Sequence, residues 1–231
     1  MSRELRVLAG AALAVLLVGG AYLAGLFPPG LLPELAKRTA SMMEPGFNYG
    51  PRGPLVSKLR YELEQTPCDR TRAAQYAQTV FAAGDRRGSI QFTDDFIARC
   101  GKFPQLRSIS YSAHMRLGEF DLAIRDAKEL IDSAPRNAGY WVWRSMAYRA
   151  RGLAAPALSD LEQAFRVQPE QLTVARQLIS AYEELGRGCD ARLVMQEHQM
   201  ANPASSGLPE VKQWLAYMET LRCEPEPGTS K

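Results

Sequence analysis

The apolar positions of the chain form two patterns, one unbroken run near the N-terminus and helical spacing over much of the rest. Residues 7–27 contain no charged side chain, and about 20 apolar residues are enough to cross the hydrocarbon core of a membrane. Further on, Leu55, Leu59 and Leu63 follow at four-residue steps. Near the end of the chain, apolar residues from 211 to 221 also recur at helical intervals. The pattern predicts one apolar helix followed by amphipathic helices.

Between residues 70 and 205, small residues and prolines return with a period of 34 residues. The three rows are Gly84, Gly118, Gly152 and Gly186; Ser89, Ala123, Ala157 and Ala191; and Pro135, Pro169 and Pro203. Glycine allows the chain to reverse after a helix, the small residue lets two helices approach closely, and proline ends the second helix. A unit of this length with these residues predicts a repeated helical hairpin.

On these residues, the chain resembles the tetratricopeptide repeat (TPR) family over positions 70–205. The third unit matches the family pattern best, with Trp141, Tyr148, Gly152, Ala157 and Pro169. The units are 70–103, 104–137, 138–171 and 172–205, and the first departs from the pattern because Gly101 replaces the proline. The resemblance implies an all-α fold, a solenoid of about four hairpins closed by a C-terminal capping helix, here expected at 208–222.

The sequence predicts five regions. They are a cytoplasmic tail (1–6), a transmembrane helix (7–27), a Pro/Gly-rich tether with short helices near 34–43 and 55–65 (28–67), the solenoid with its cap (68–223) and a disordered tail (224–231). The second short helix is expected to pack beneath the first hairpin.

The apolar N-terminal run has two interpretations. A cleavable secretory signal needs a shorter apolar region and a small-residue cleavage site, which Gly19 and Ala21 would supply. The length of the run favours an uncleaved anchor in the inner (cytoplasmic) membrane. Arg3 and Arg6 precede the run, and the next positive charges, Lys37 and Arg38, lie well beyond it. This asymmetry predicts a cytoplasmic N-terminus and a periplasmic or otherwise extracytoplasmic solenoid.

The four cysteines lie at the two ends of the predicted array. Cys68 precedes the first helix of unit one and Cys100 ends its second helix, so an antiparallel hairpin brings them together. Cys189 and Cys223 are neighbours by the same argument, in the fourth unit and the cap. The geometry predicts disulfides Cys68–Cys100 and Cys189–Cys223, which favour an oxidising compartment. The alternative is four unpaired thiols in a cytosolic protein.

Composition and motifs argue against catalysis, metal binding and nucleic-acid binding. The formal net charge is only +3, too small for a nucleic-acid-binding surface on its own. Serine-hydrolase, P-loop, HExxH and aspartic-protease motifs are missing from the sequence. His114 and His198 stand in different predicted helices without a CxxC-type partner, so both are expected to be packed. We therefore predict a protein that is not an enzyme and has no cofactor and no metal.

In the family that this chain resembles, the first helix of each hairpin lines the binding groove. The predicted partner-binding residues are Met115, Arg116, Val142, Trp143, Met146, Arg149 and Arg176. Trp141 and Trp143 cannot both face inward on one helix, so Trp143 is expected either to anchor a peptide or to cover the neighbouring helix. The arginines would hold a carboxylate of the same ligand.

Together these features predict a membrane-anchored adaptor without catalytic activity. It would bind a protein or peptide on the extracytoplasmic side, in envelope assembly, secretion or maturation. One alternative is a substrate-presenting, non-catalytic subunit of an envelope enzyme such as a protease or a cytochrome-maturation system. Another is a self-assembling scaffold in which the groove receives a second copy of the chain, a homo-oligomer.

Overall fold

The computed structural model describes residues 49–220, which form ten α-helices and no strand. The helices are α1 (Gly53–Gln65), α2 (Arg70–Ala82), α3 (Arg86–Cys100), α4 (Pro104–Leu117), α5 (Phe120–Ser133), α6 (Ala138–Ala150), α7 (Ala154–Val167), α8 (Leu172–Glu184), α9 (Gly188–Ala201) and α10 (Pro209–Thr220). Short 3-10 turns lie at Gly50–Arg52 and Pro203–Gly207. The predicted all-α helical repeat is therefore confirmed within the described residues.

Helices α2 to α9 form four hairpins, and each hairpin turns at a glycine of the repeating row. All four of these glycines have positive φ, which is +75° at Gly118. At this turn, Glu119 N–H donates to the His114 carbonyl at 2.9 Å and Gly118 N–H to the Met115 carbonyl at 3.3 Å. These two hydrogen bonds form a Schellman-type cap at the end of α4. Such a cap needs a residue in the left-handed conformation, here Gly118.

The row of small residues lies at the contact between the two helices of each hairpin. Ser89, Ala123 and Ala191 are fully buried, and Ala157 is nearly so. The Ser89 hydroxyl donates to the Ala77 carbonyl of the facing helix at 3.1 Å. A larger side chain at these positions would push the paired helices apart, so the small residue sets their separation.

The apolar core is continuous with helices that flank the four hairpins. At the N-terminal end, α1 buries Val56, Leu59 and Leu63 against the first hairpin. Leu55, which the four-residue spacing assigns to the same stripe, is instead 48% exposed. At the other end, α10 buries Val211 and Met218 in the core of the fourth hairpin. Each terminal hairpin therefore has a covering helix, as repeat arrays require.

Tyr49 already packs against the repeat array, although it lies in the segment 28–67, whose Pro/Gly content predicted a tether. Tyr49 packs against the first-hairpin core, and its hydroxyl donates to Asp85 Oδ2 at 3.0 Å. Burial, followed by this hydrogen bond, raises the pKa of Tyr49 to about 12. The predicted cytoplasmic tail, membrane helix, 34–43 helix and 224–231 tail lie outside residues 49–220. Within 49–220, no helix has both the length and the apolarity needed to cross a membrane.

A disulfide joins Cys68 to Cys100, the pair expected from the hairpin geometry. Their Cα atoms lie 5.4 Å apart, which connects the start of α2 with the end of α3. Cys189 is also disulfide-bonded, and its predicted partner, Cys223, lies outside the described residues. The first hairpin is thus covalently closed at its open end.

Candidate functional site: the first-helix face

The first helices of the hairpins, α2, α4, α6 and α8, share one exposed surface, which we call the first-helix face. Its exposed and half-exposed side chains are Gln75, Gln78, Ser108, Ser112, Met115, Arg116, Trp143, Met146, Arg149, Arg176, Gln177, Ser180, Glu183 and Glu184. Six of the seven predicted partner-binding residues belong to it. The exception is Val142, which is 6% exposed and packs in the core of the later hairpins. The expectation that Val142 is available to a ligand was wrong, because its side chain points between the helices.

Trp143 is half-buried and covers the neighbouring helix. Its ring stacks on Tyr111 of α4, with centroids 5.1 Å apart and planes 9° from parallel. The ring of Tyr140 packs against it at 5.5 Å, and the Tyr111 hydroxyl donates to the Trp143 carbonyl at 2.7 Å. Of the two expectations for Trp143, the structure favours the covering role, since its ring face is already occupied by Tyr111.

Trp141 faces the core side, as its position in the repeat predicts. It packs against the cluster of the third and fourth hairpins, and its indole N–H donates to the Pro135 carbonyl at 2.9 Å. The Arg144 guanidinium lies over its ring at 5.1 Å. The two tryptophans therefore serve different surfaces of α6.

The apolar part of the first-helix face that remains accessible is centred on methionine. Met146 is 47% exposed, whereas Met115 is half-buried against the Tyr111–Trp143 cluster. Methionine side chains are flexible and polarizable, so they adapt to ligands of different shape. Met146 follows Trp143 by three residues on α6, so the two side chains are neighbours on the surface of this helix. An accessible methionine at this place is suited to contact with an apolar side chain of a partner.

The three arginines predicted to bind a carboxylate differ in what they already bind. Arg149 donates to both carboxylate oxygens of Glu184 at 3.0 and 3.3 Å. Arg176 lies 3.5 Å from Glu210 and over the ring of Trp214. Arg116 is exposed and makes no ion pair with another of the residues 49–220. Among the three, Arg116 is thus the cation best placed for a ligand carboxylate.

The second hairpin contains a buried network of charged side chains that was not predicted from the sequence. The carboxylate of Asp126 is fully buried; it accepts from Arg107 Nη1 at 3.1 Å and lies 2.7 Å from His114 Nδ1. Arg107 also bonds Asp94 of the first hairpin at 3.1 Å. His114, expected to be packed, is 2% exposed but is also a polar partner of Asp126. A buried carboxylate held by two polar partners is a structural device that links helices.

The third hairpin contains an equivalent pair. Asp160 stands 34 residues after Asp126 and binds Arg144 through two bonds, Nε to Oδ2 at 2.8 Å and Nη2 to Oδ1 at 2.6 Å. These bonds raise the pKa of the Arg144 guanidinium. The recurrence of aspartate at this spacing was the sequence signal for both buried carboxylates.

The described residues do not bring together three or more potential metal-ligating side chains. His198 is fully buried, and its Nδ1 lies 2.8 Å from the Pro169 carbonyl. It was expected to be packed and occupies such a position. The surface of the array offers contacts suited to another polypeptide, formed by methionine, aromatic and arginine side chains.

The fold defines a helical-repeat protein, and comparison with known proteins agrees at the level of the fold. No family model and no curated protein matches the sequence. The crystal structure of MamA aligns over 70% of this chain and 89% of its own, with a TM-score of 0.54 and 16% identity. MamA residues 41 to the end from Desulfovibrio magneticus RS-1 align over 82% of this chain and 93% of their own, with a TM-score of 0.53 and 13% identity. These similarities concern the fold, a helical repeat such as the 34-residue period of the sequence predicts.

Proposed function

We propose that this chain is a membrane-anchored adaptor without catalytic activity, which binds a protein or peptide partner through the first-helix face. Residues 7–27 anchor it in the cytoplasmic membrane, and the array works on the extracytoplasmic side. There it holds its partner for assembly, secretion or maturation of the cell envelope. The observation that carries the proposal is the accessible Met146 beside the Tyr111–Trp143 stack, on a face that also presents Arg116.

The face combines a stiff support with adaptable contacts. Tyr111 and Trp143 are fixed by stacking and by a hydrogen bond, so the helices below the face lose little freedom when a partner binds. Met146 supplies an adaptable apolar contact, and Arg116 a cation for a carboxylate. This combination suits a partner segment with an apolar side chain and a nearby acidic group.

The disulfides support an extracytoplasmic location. The Cys68–Cys100 bridge and the bonded state of Cys189 are expected in an oxidising compartment. The charge asymmetry around residues 7–27 predicts the same orientation. Both features support the part of the proposal that puts the array outside the cytoplasm.

The test is site-specific photo-crosslinking in native membranes. A benzoylphenylalanine at position 146 reports on the first-helix face, and one at position 193 is the matched control. Leu193 is also an exposed apolar residue (55%) but belongs to the second helix of the fourth hairpin. We expect crosslinks from position 146 to one defined protein, weakened at least several-fold by Arg116→Glu in the same chain.

Equal crosslinking from both positions, or none from position 146, would contradict partner binding by this face. The orientation is tested separately by labelling a cysteine introduced at Ser206 with a membrane-impermeant maleimide in intact cells. Labelling only after the membrane is disrupted would place the array in the cytoplasm and overturn that part of the proposal.

A further inference from the structure

A pocket of about 240 Å³ opens between the third and fourth hairpins, at the edge where the helices turn. Its walls are formed mainly by Ala154, Ala157, Leu158, Leu161, Ala181 and Leu185. Leu161 and Ala157 form its buried side, whereas Leu185 is 50% exposed at the rim. The pocket is therefore a largely apolar cavity that is open to a partner.

The 34-residue repeat shows which side chains the second hairpin has at the positions that line this pocket. The residue that precedes Ala154 by one 34-residue period is Phe120, and the one that precedes Arg149 is Met115. Phe120 and Ala154 are each the first residue of the second helix in their hairpins. The third hairpin thus has a methyl group where the second hairpin has a phenyl ring.

The corresponding positions of the earlier junction form an apolar cluster. Ala123, Ile124 and Ala127, which precede Ala157, Leu158 and Leu161 by one period, pack together with Met115. Met115, which belongs to this cluster, and Phe120, at the start of α5, correspond one period later to Arg149 and Ala154. The later junction keeps the apolar walls, but it has an ion-paired arginine and an alanine at the places of these two large apolar residues.

The mouth of the pocket carries charges that neutralise each other. Arg149 and Glu184, both of which border the cavity, bind each other at 3.0 Å. Because Arg149 and Glu184 already neutralise each other, they attract a charged ligand group only weakly. Such a group would also have to break their ion pair before it could bind either residue. The electrostatics of the mouth therefore favour a neutral occupant.

Size and chemistry then indicate the occupant. A cavity of about 150 Å³ lined by apolar side chains is large enough to bind benzene, and this pocket is larger. We infer that the pocket between the third and fourth hairpins is a binding site for an aromatic side chain of a partner protein, since Ala154 leaves room there at the repeat position where Phe120 carries a phenyl ring. The pocket does not include Met146, although Arg149 and Glu184 at its mouth also belong to the first-helix face.

The test uses the full-length chain in lipid nanodiscs, with ¹³C-labelled alanine and leucine methyl groups followed by NMR. The probe is N-acetyl-phenylalaninamide, with N-acetyl-alaninamide as the control compound. We expect saturable shifts of the Ala157, Leu158 and Leu161 methyl signals with the aromatic probe and none with the alanine compound. Ala154→Phe should abolish these shifts and raise the Tm by a few degrees, because the new ring fills the cavity.

The matched control variant is Ala155→Phe, which adds a ring at the next, exposed position of α7 and should leave probe binding unchanged. Ala154→Leu serves as a smaller filler if the phenylalanine variant does not fold. Absence of saturable shifts in the unmodified chain, or retained binding in the filled variants, would overturn the inference. Shifts of the same methyl signals with rising protein concentration and no probe would identify a second copy of the chain as the occupant, and would also overturn it.

Discussion

At the scale of single residues, the second and third hairpins depend on buried carboxylates. Asp126 and Asp160 occupy the same place in the repeat and each binds an arginine of the first helix of its own hairpin. Asp126 also binds His114 and indirectly reaches Asp94 of the first hairpin through Arg107. A buried charge is tolerated only with such partners, so each member of the network depends on the others.

We expect Asp126→Ala to lower the free energy of unfolding by about 3 kcal/mol, because it leaves His114 Nδ1 and part of Arg107 without their buried carboxylate. Arg107 keeps Asp94 and Glu129, so the loss should not exceed this range. The measurement is urea unfolding followed by circular dichroism. Asp132→Ala is the control, since Asp132 pairs with Lys128 at the surface, where an ion pair contributes less than about 1 kcal/mol. Equal losses in the two variants would contradict a structural role for the buried network.

At the scale of elements, each hairpin is defined by its turn and by the contact of its two helices. The turn needs a residue with positive φ, and the contact needs a small residue a few positions later. At the second hairpin these are Gly118 and Ala123, separated by the first turn of α5. Both requirements are local, which explains why they recur once per unit.

Gly118→Ala should lower the free energy of unfolding by about 1–2 kcal/mol, the cost of a left-handed conformation for a residue with a Cβ atom. A Cβ placed on Gly118 would meet no other atom within 4 Å, so the effect is purely conformational. Gly207→Ala is the control, because this glycine is equally uncrowded and has no positive φ. We expect no loss, or a small gain, at position 207. Thermal or urea unfolding that ranks the two variants the other way would show that the turn does not require glycine.

At the scale of the whole described region, each hairpin packs mainly on its sequence neighbours, so the ends of the array are its weakest parts. The first hairpin is reinforced by α1 and by the Cys68–Cys100 bridge. The two cysteines of this bridge are 32 residues apart in the sequence, so the bridge closes a loop of that length. A crosslink over that length stabilises a fold chiefly by restricting the unfolded chain.

The double variant Cys68→Ser/Cys100→Ser should therefore lose about 3–4 kcal/mol of stability in the first hairpin. Hydrogen exchange measures this loss by position. We expect faster exchange in α2 and α3, while the amides of α6 and α7 in the same molecule serve as the internal control. Uniform acceleration over all helices would mean that the array unfolds as one unit, with no separate opening of its N-terminal end.

The helices, turns and repeat of the array were predictable from the sequence, because they depend on local stereochemistry. Gly118 permits the turn, Ala123 permits the close contact and Pro135 follows the end of α5, whatever the rest of the chain does. The approximate positions of α1 and α10 were predictable for the same reason, since apolar residues at helical spacing define a buried stripe. Leu55 was misplaced because that spacing alone does not say which side of α1 meets the first hairpin.

The surface chemistry was decided by the tertiary structure, because it depends on pairs of residues from different helices. Only the packing of α6 on α4 places Trp143 on Tyr111 and Val142 in the core. Only the stacking of successive hairpins pairs Arg149 with Glu184 and leaves a cavity beside Ala154. The distances between such side chains follow from the register of packed helices, which the local sequence does not encode.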